Sequence, residues 1–400
     1  MNLSRLKSKL RLFYNTFIAS PKQWRFPRKS EILIYDACGA ETMAPYLTGY
    51  SVEILPLRGE LVNIPCLLRA ILKLSFWKIK PIQAYTEVFI KIVSPKLVIT
   101  FIDNNVGFYT ISNRFPDIKT IFLQNGTRGE KGDIFDGLIR SYDYHVDYML
   151  VHGAAIGRHY SKYISGEVIA IGSLKNNASK KSSDIAVGAI VFISQYHDKP
   201  EGNAPFWVEP DGTPVYWDNF FAVESEVLNF LCRWCLENRK LLRICGRGLD
   251  NDGCEKRFYA ANLKSSEWEY IPRSDSNSSY KLVDESEIVV FIDSTLGYEA
   301  IGRGKKAAGF SWRGASLSCP SARFGWPGDF PDNGPFWTNV ADERQLRRVM
   351  DYLNTVSDEE WEKTRQLYAN ELMKFDAANT HFTALLDQLL PISGKFNYAH

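Results

Sequence analysis

Asp293-Ser294-Thr295-Leu296-Gly297-Tyr298-Glu299-Ala300 sets a carboxylate, two hydroxyls and a second carboxylate directly after an apolar run, Glu287 to Ile292. The pattern reads as a buried strand followed by a helix start. Ser294 or Thr295 would cap the helix by accepting a free backbone N–H, and Glu299 falls in its first turns near the positive end of the macrodipole. A strand, a hydroxyl-rich turn and a helix N-terminus together make a site for an anion or a sugar. A plain strand-to-helix turn with an ordinary cap is the alternative.

A second group, Gln124-Asn125-Gly126-Thr127-Arg128-Gly129, follows the apolar run Lys119 to Leu123. Its glycines permit positive φ and close backbone approach, and Arg128 offers a planar fork for a phosphate or carboxylate. The alternative is a mobile surface loop. Asp36 with Glu41, and Asp103 beside Asn104 and Asn105, end two further apolar runs. Carboxylates so placed suit proton removal from an acceptor hydroxyl, or bond the loop backbone instead. In the second half Gln195 and Arg247 also follow apolar runs, with Arg247 the first choice, and Lys305 the second, as the cation for a leaving phosphate.

These residues need elements to hold them. Apolar runs at 31–35, 51–55, 96–102, 119–123, 148–151 and 167–171 alternate with helical segments, clearest at 62–74 and 82–93. Strands alternating with helices predict a mostly parallel sheet covered on both faces, with ligands at its carboxyl ends. The stretch 175–184 has linker composition, and a second alternation follows: strands at 188–194, 240–245, 268–271, 287–292 and 305–310, and helices at 224–237 and 278–284. Residues 203–217, rich in proline and aromatics, read as a long insertion. Helices are expected at 342–354, 358–373 and 375–389. The resulting division is a basic N-terminal segment 1–30, an α/β domain 31–178, a second α/β domain 185–355, and C-terminal helices 356–400.

Length and charge bound the partners. A chain of 400 residues exceeds one ordinary core, and a net charge of +2 gives no general affinity for nucleic acid. Seven cysteines without a framework suggest reduced thiols in the cytoplasm, and Cys232 and Cys235 fall inside a predicted helix with no second pair for a metal. Eight Lys or Arg residues precede the first acid, Glu31, interleaved with Leu3, Leu6, Leu10, Phe13 and Phe17. That is a basic amphipathic segment suited to an anionic membrane surface, or equally a helix packed on the fold. No run of 18 apolar residues exists to cross a bilayer.

The layout is similar to GT-B glycosyltransferases, two Rossmann-like α/β/α domains facing each other across a cleft. The 124–128 and 293–300 motifs, with Phe324-Gly325-Trp326-Pro327 and Gly334-Pro335-Phe336-Trp337-Thr338-Asn339, resemble the bacterial surface carbohydrate (O-antigen/capsule) biosynthesis family from about residue 31 to 361. The Ser-Thr-x-Gly-x-Glu-Ala piece also resembles the donor-side motif of capsule-type Kdo transferases and of CDP-polyol phosphotransferases. The resemblance implies transfer from a nucleotide-activated sugar to a glycan or lipid-linked glycan acceptor at the cytoplasmic face of the membrane. Within that layout, strand-end position and the chemistry of transfer assign donor contacts to Gln195, Arg247, Ser294, Thr295, Gly297 and Glu299, catalytic roles to the carboxylates Asp36, Glu41 and Asp103, and cleft or phosphate contacts to Gln124, Asn125, Gly126 and Arg128. No cofactor and no metal are expected. A CMP-linked acidic donor sits poorly with the absence of a His-Pro pair; His197, the nearest candidate, is followed by Asp198. A CDP-polyol phosphotransferase and a non-catalytic glycan-binding scaffold are the competing readings.

Overall fold

Each alternation of the chain folds into one six-stranded parallel sheet. The structure, a computed structural model, describes residues 20–391 apart from 74–79, 131–132, 139–142, 183–185, 203, 210–211, 251, 276 and 318–319. The amphipathic helix expected before residue 20 lies outside the described residues.

The first sheet comprises β1 (Ile32–Tyr35), β2 (Val52–Leu55), β3 (Leu97–Thr100), β4 (Lys119–Leu123), β5 (Tyr144–Val151) and β6 (Ile164–Ala170), in the order β2-β1-β3-β4-β5-β6. The second comprises β7 (Ala189–Ile193), β8 (Leu241–Cys245), β9 (Glu269–Ile271), β10 (Ile288–Phe291), β11 (Lys306–Phe310) and β12 (Trp337–Thr338), in the order β9-β8-β7-β10-β11-β12. Every residue of β1, β3, β7 and β10 is buried. A strand covered by helices on both faces must be apolar throughout, which is why these runs carry no polar alternation. In each sheet the strand order reverses once, between β1 and β3 and between β7 and β10. Such a reversal opens a crevice beyond the carboxyl ends of the two strands.

The labelled helices are α1 (Ile64–Leu72), α2 (Pro81–Val93), α3 (Ala154–Tyr160), α4 (Leu174–Ala178), α5 (Trp217–Glu237), α6 (Cys254–Asn262), α7 (Ser278–Glu285), α8 (Thr295–Arg303), α9 (Trp312–Ser316), α10 (Glu343–Thr355), α11 (Asp358–Leu372) and α12 (Thr380–Leu389). Two differ from expectation. Helix α5 begins at Trp217, not 224, because Trp217 and Phe221 pack ring to ring at 5.0 Å and join Phe258 of α6, giving the first two turns an aromatic anchor in place of a side-chain cap. The last helix begins at Thr380, since Ala378 and Asn379 take positive φ and break the pattern expected from 375. Helix α11, expected at 358–373, carries a serine cap: the Ser357 hydroxyl accepts from Glu360 N–H at 3.2 Å.

The chain ends by crossing back. Phe382, Leu385 and Leu386 of α12 bury against Ile32, Ile34, Leu97 and Ile99 of the first sheet. Cys232 and Cys235 are free thiols buried in α5, and burial pushes their pKa values up to about 11 and about 12. Among the described residues no helix is long and apolar enough to cross a membrane.

Gly297 has a packing role. A Cβ there would stand 2.0 Å from the Phe291 ring, so the glycine lets α8 close onto β10. Gly297→Ala is therefore expected to lower stability by about 1–3 kcal/mol, the usual range for overpacking a core. Denaturant unfolding measures it, and a midpoint equal to wild type would refute the role.

Candidate active site between the two sheets

The turn after β10 and the turn after β4 meet. Thr127 N–H donates to Thr295 Oγ1 at 3.2 Å, and the two threonine hydroxyls lie 3.4 Å apart. The hydroxyl expected to cap α8 thus reaches across to the first sheet, and Ser294, at the N-cap, makes no side-chain capping bond. Beside this bridge opens a cavity of about 420 Å³. Thr127, Arg128, Gly129 and Asp133 line it from the first sheet; Gln195, Asp293, Arg313 and Trp326 are among those lining it from the second. Within the expected insertion, Trp207–Val208 pairs antiparallel with Pro214–Val215, and Phe206 and Trp207 stand at the rim.

Two buried networks shape the walls. On the first, Asp103 is fully buried and engages Arg128 through both oxygens, with Arg128 Nε at 2.7 Å, while also accepting from Tyr160 OH and from Asn125 N–H. Gln124 ties the same loop to the end of β5, its Oε1 accepting from His152 N–H at 2.9 Å and its Nε2 donating to Gly126 C=O at 2.8 Å. Asp103 therefore positions Arg128 and is closed off as a base. Gly126 does not take the positive φ expected of it; an added Cβ would stop 3.9 Å from Arg128.

On the second wall Arg313, 2% exposed, donates from Nη1 to Gln195 Oε1 at 3.0 Å and to Asp293 at 2.7 and 2.8 Å, and from Nη2 to Glu224 at 3.3 Å. Glu224 is fully buried and accepts from Tyr259 OH at 2.7 Å. Burial pushes its carboxyl up to about 7 against the pull of the guanidinium. Gln195 and Asp293 follow β7 and β10, so this cluster stands at the reversal of the second sheet. Next to it Tyr196, His197, Arg247 and Glu255 line a further recess of about 330 Å³, where Arg247 donates to Tyr196 C=O at 3.1 Å.

Several expected residues stand elsewhere. Asp36 is buried at positive φ, holds Arg58 Nε at 2.8 and 3.1 Å, accepts from Cys38 N–H and lines neither cavity; it braces its own loop. Glu41 is exposed on the short helix Ala40–Met43 and also lines neither. Glu299 faces away from the cleft: it is buried, accepts from Tyr280 OH at 3.0 Å, and burial pushes it up to about 7. Lys305 sits past the far end of α8, donating to Asp284 C=O at 2.8 Å. Of the aromatic motifs, Trp326 lines the cavity, while Phe324, Phe336 and Trp337 are core.

The expectation of metal independence passes over one Asp-x-Asp, Asp250-Asn251-Asp252. Asp250 there accepts from the N–H groups of Glu255 and Lys256, a cap for α6. Among the described residues no cluster of three or more His, Cys, Asp or Glu is arranged for a metal ion.

Arg313, Glu224 and Asp133 escaped the sequence reading. Arg313 follows a strand end by three residues, as Asp293 does by two, and Glu224 falls on the apolar stripe of Phe221 and Leu228. A glutamate on a buried helix face signals a paired charge.

Two reversed parallel sheets with a cleft at their facing carboxyl ends, and a C-terminal helix returning to the first, define the GT-B fold. Residues 121–390 match the family described as "putative O-antigen biosynthesis protein", and the chain belongs to that family. Among solved structures, a "putative UDP-N-acetylglucosamine 2-epimerase from Listeria monocytogenes" aligns with a TM-score of 0.51 at 12% identity, over 93% of this chain and 97% of that one. The wall teichoic acid polymerase TagF aligns with a TM-score of 0.47 at 11% identity, over 97% of this chain and 94% of that one. Comparison with curated proteins gives no match.

Proposed function

We propose that the protein is a glycosyltransferase of surface polysaccharide synthesis, moving a sugar from a nucleotide-activated donor to a glycan or lipid-linked glycan acceptor at the cytoplasmic face of the membrane. The observation that carries this reading is the convergence of Arg128 and Arg313, from opposite sheets, on one cavity at the strand ends. The donor lies along the second sheet from Arg247 to Arg313, its phosphates facing the α8 N-terminus with Ser294 and Thr295. As the glycosidic bond to phosphate lengthens, negative charge gathers on the leaving oxygen. Fixed guanidinium groups already in place stabilise that charge without reorganising. Neither Asp36 nor Glu41 reaches the cavity, so the base role passes to Asp133 on the acceptor wall, with Asp103 holding Arg128.

The test is a thermal-shift panel of CMP, CDP, UDP, GDP and dTDP, because a ligand that binds only the folded state raises the midpoint by mass action. Donor turnover with the responding nucleotide is then read for released nucleotide and for product. One nucleotide should shift the midpoint, and its sugar donor should release it faster with acceptor present. An isomerised donor would indicate an epimerase; transfer of a polyol phosphate from a CDP donor, the phosphotransferase; tight binding with no turnover, a scaffold. Each of these outcomes rejects glycosyl transfer.

A further inference from the structure

Helix α1 is apolar on nearly its whole circumference: Ile-Pro-Cys-Leu-Leu-Arg-Ala-Ile-Leu. Cys66 and Ala70 are buried, which accounts for the inner face. On the outer face Leu68 is 56% exposed and Leu72 84% exposed, one helical turn apart, with Ile71 beside them. A helix apolar all round is normally covered on every side.

Residues 20–30 run alongside. Lys22 and Gln23 pair in parallel with Val62 and Asn63, and the Asn63 amide donates to the Arg25 carbonyl at 2.8 Å. The Arg69 guanidinium lies 4.4 Å over the Phe26 ring, and Trp24, 73% exposed, extends the apolar surface. Segments 20–30 and 62–73 together hold Lys22, Arg25, Arg28, Lys29, Arg69 and Lys73, and no Asp or Glu, in a chain whose net charge is only +2; Arg28 pairs with Glu53 at 3.5 Å, and the other five give the face its positive charge.

We infer that this face docks on an anionic lipid bilayer, with Trp24, Leu68 and Leu72 entering the headgroup and acyl boundary and the cations meeting lipid phosphates. The argument for lipid over a second copy of the chain is charge: two copies would bring two sets of five cations face to face, whereas an anionic leaflet complements them. Aromatic and aliphatic side chains ringed by Lys and Arg are the composition of an interfacial helix. The position deepens the proposed function and rests on it only for purpose. Helix α1 follows the carboxyl end of β2 through the connection that carries Arg58, the partner of Asp36.

Flotation of the full chain tests it, with vesicles of phosphatidylcholine alone and with phosphatidylglycerol added, and no donor present, so that failure of transfer and failure of docking remain distinct. Wild type should partition at least about tenfold more onto the anionic vesicles, less so as salt rises. Leu68→Glu/Leu72→Glu, and the neutral Leu68→Ser/Leu72→Ser, should each lose about tenfold or more of that binding while keeping the wild-type melting temperature and turnover of a soluble acceptor. Wild type that does not float overturns the inference. Variants that float like wild type also overturn it and assign binding to residues 1–19. A dimer that both double variants abolish, without flotation of wild type, overturns it in favour of a second copy.

Discussion

Arg313→Met is expected to lower the unfolding free energy by about 3–5 kcal/mol, the cost of removing one partner from a buried ion pair, and to abolish donor binding. The guanidinium is enclosed by Glu224, Asp293 and Gln195, and methionine fills its volume without its charge. Glu224, fully buried, is then left with Tyr259 OH and no cation. The sign of the pH dependence follows. Burial already lifts the Glu224 carboxyl to about 7, above the ordinary carboxylate value. A raised acid stabilises the fold fully below its unfolded pKa and loses that contribution as pH rises through the folded one. The deficit of Arg313→Met should therefore be larger near about pH 8 than near about pH 5. Adding Glu224→Leu should recover part of it, since an apolar pair in place of a buried ion pair is often neutral, while Asp293 still lacks its cation. Urea unfolding of the four members of this cycle gives the coupling. Single variants that each unfold like wild type would mean the network does not brace the cleft.

Asp133→Asn is expected to reduce turnover by about 10²–10⁴-fold, the range for loss of a general base, while leaving the nucleotide-induced thermal shift intact. Asp133 lines the acceptor wall of the cavity and starts the short helix Ile134–Gly137, accepting from the Gly129 and Ile134 N–H groups at 2.9 and 2.7 Å. Asparagine has one acceptor oxygen, so it keeps one of those two bonds while capping helices equally well; an unchanged melting temperature in the variant separates loss of the proton acceptor from displacement of the loop. The paired control is Asp36→Asn, where asparagine tolerates the left-handed backbone and turnover should stay within about threefold of wild type. The reverse result, with Asp36→Asn inactive and Asp133→Asn active, would return the base to the β1 loop.

Much of the scaffold is legible from local pattern. The strands expected at 31–35, 119–123, 188–194 and 287–292 are found at Ile32–Tyr35, Lys119–Leu123, Ala189–Ile193 and Ile288–Phe291, because a strand buried on both faces reads as a nearly continuous apolar run. Misplaced boundaries occur where tertiary contacts outweigh local signals, as in the aromatic anchor that extends α5 back to Trp217. Glu299 shows the limit for side chains. Its place in the first turns of a helix after a strand end suggested a ligand contact, yet that turn points it at Tyr280 and away from the cleft.

The sequence by itself determined two parallel layers, the positions of their strand ends and the two motifs that meet across the cleft, all consequences of burial and turn chemistry within a few residues. Only the tertiary structure decided which charges pair. Asp103 finds Arg128 25 residues away, Glu224 finds Arg313 89 away, and Thr127 meets Thr295 168 away. Such partners are chosen by strand order and by the closure of one sheet on the other, and neither leaves a local trace in the chain.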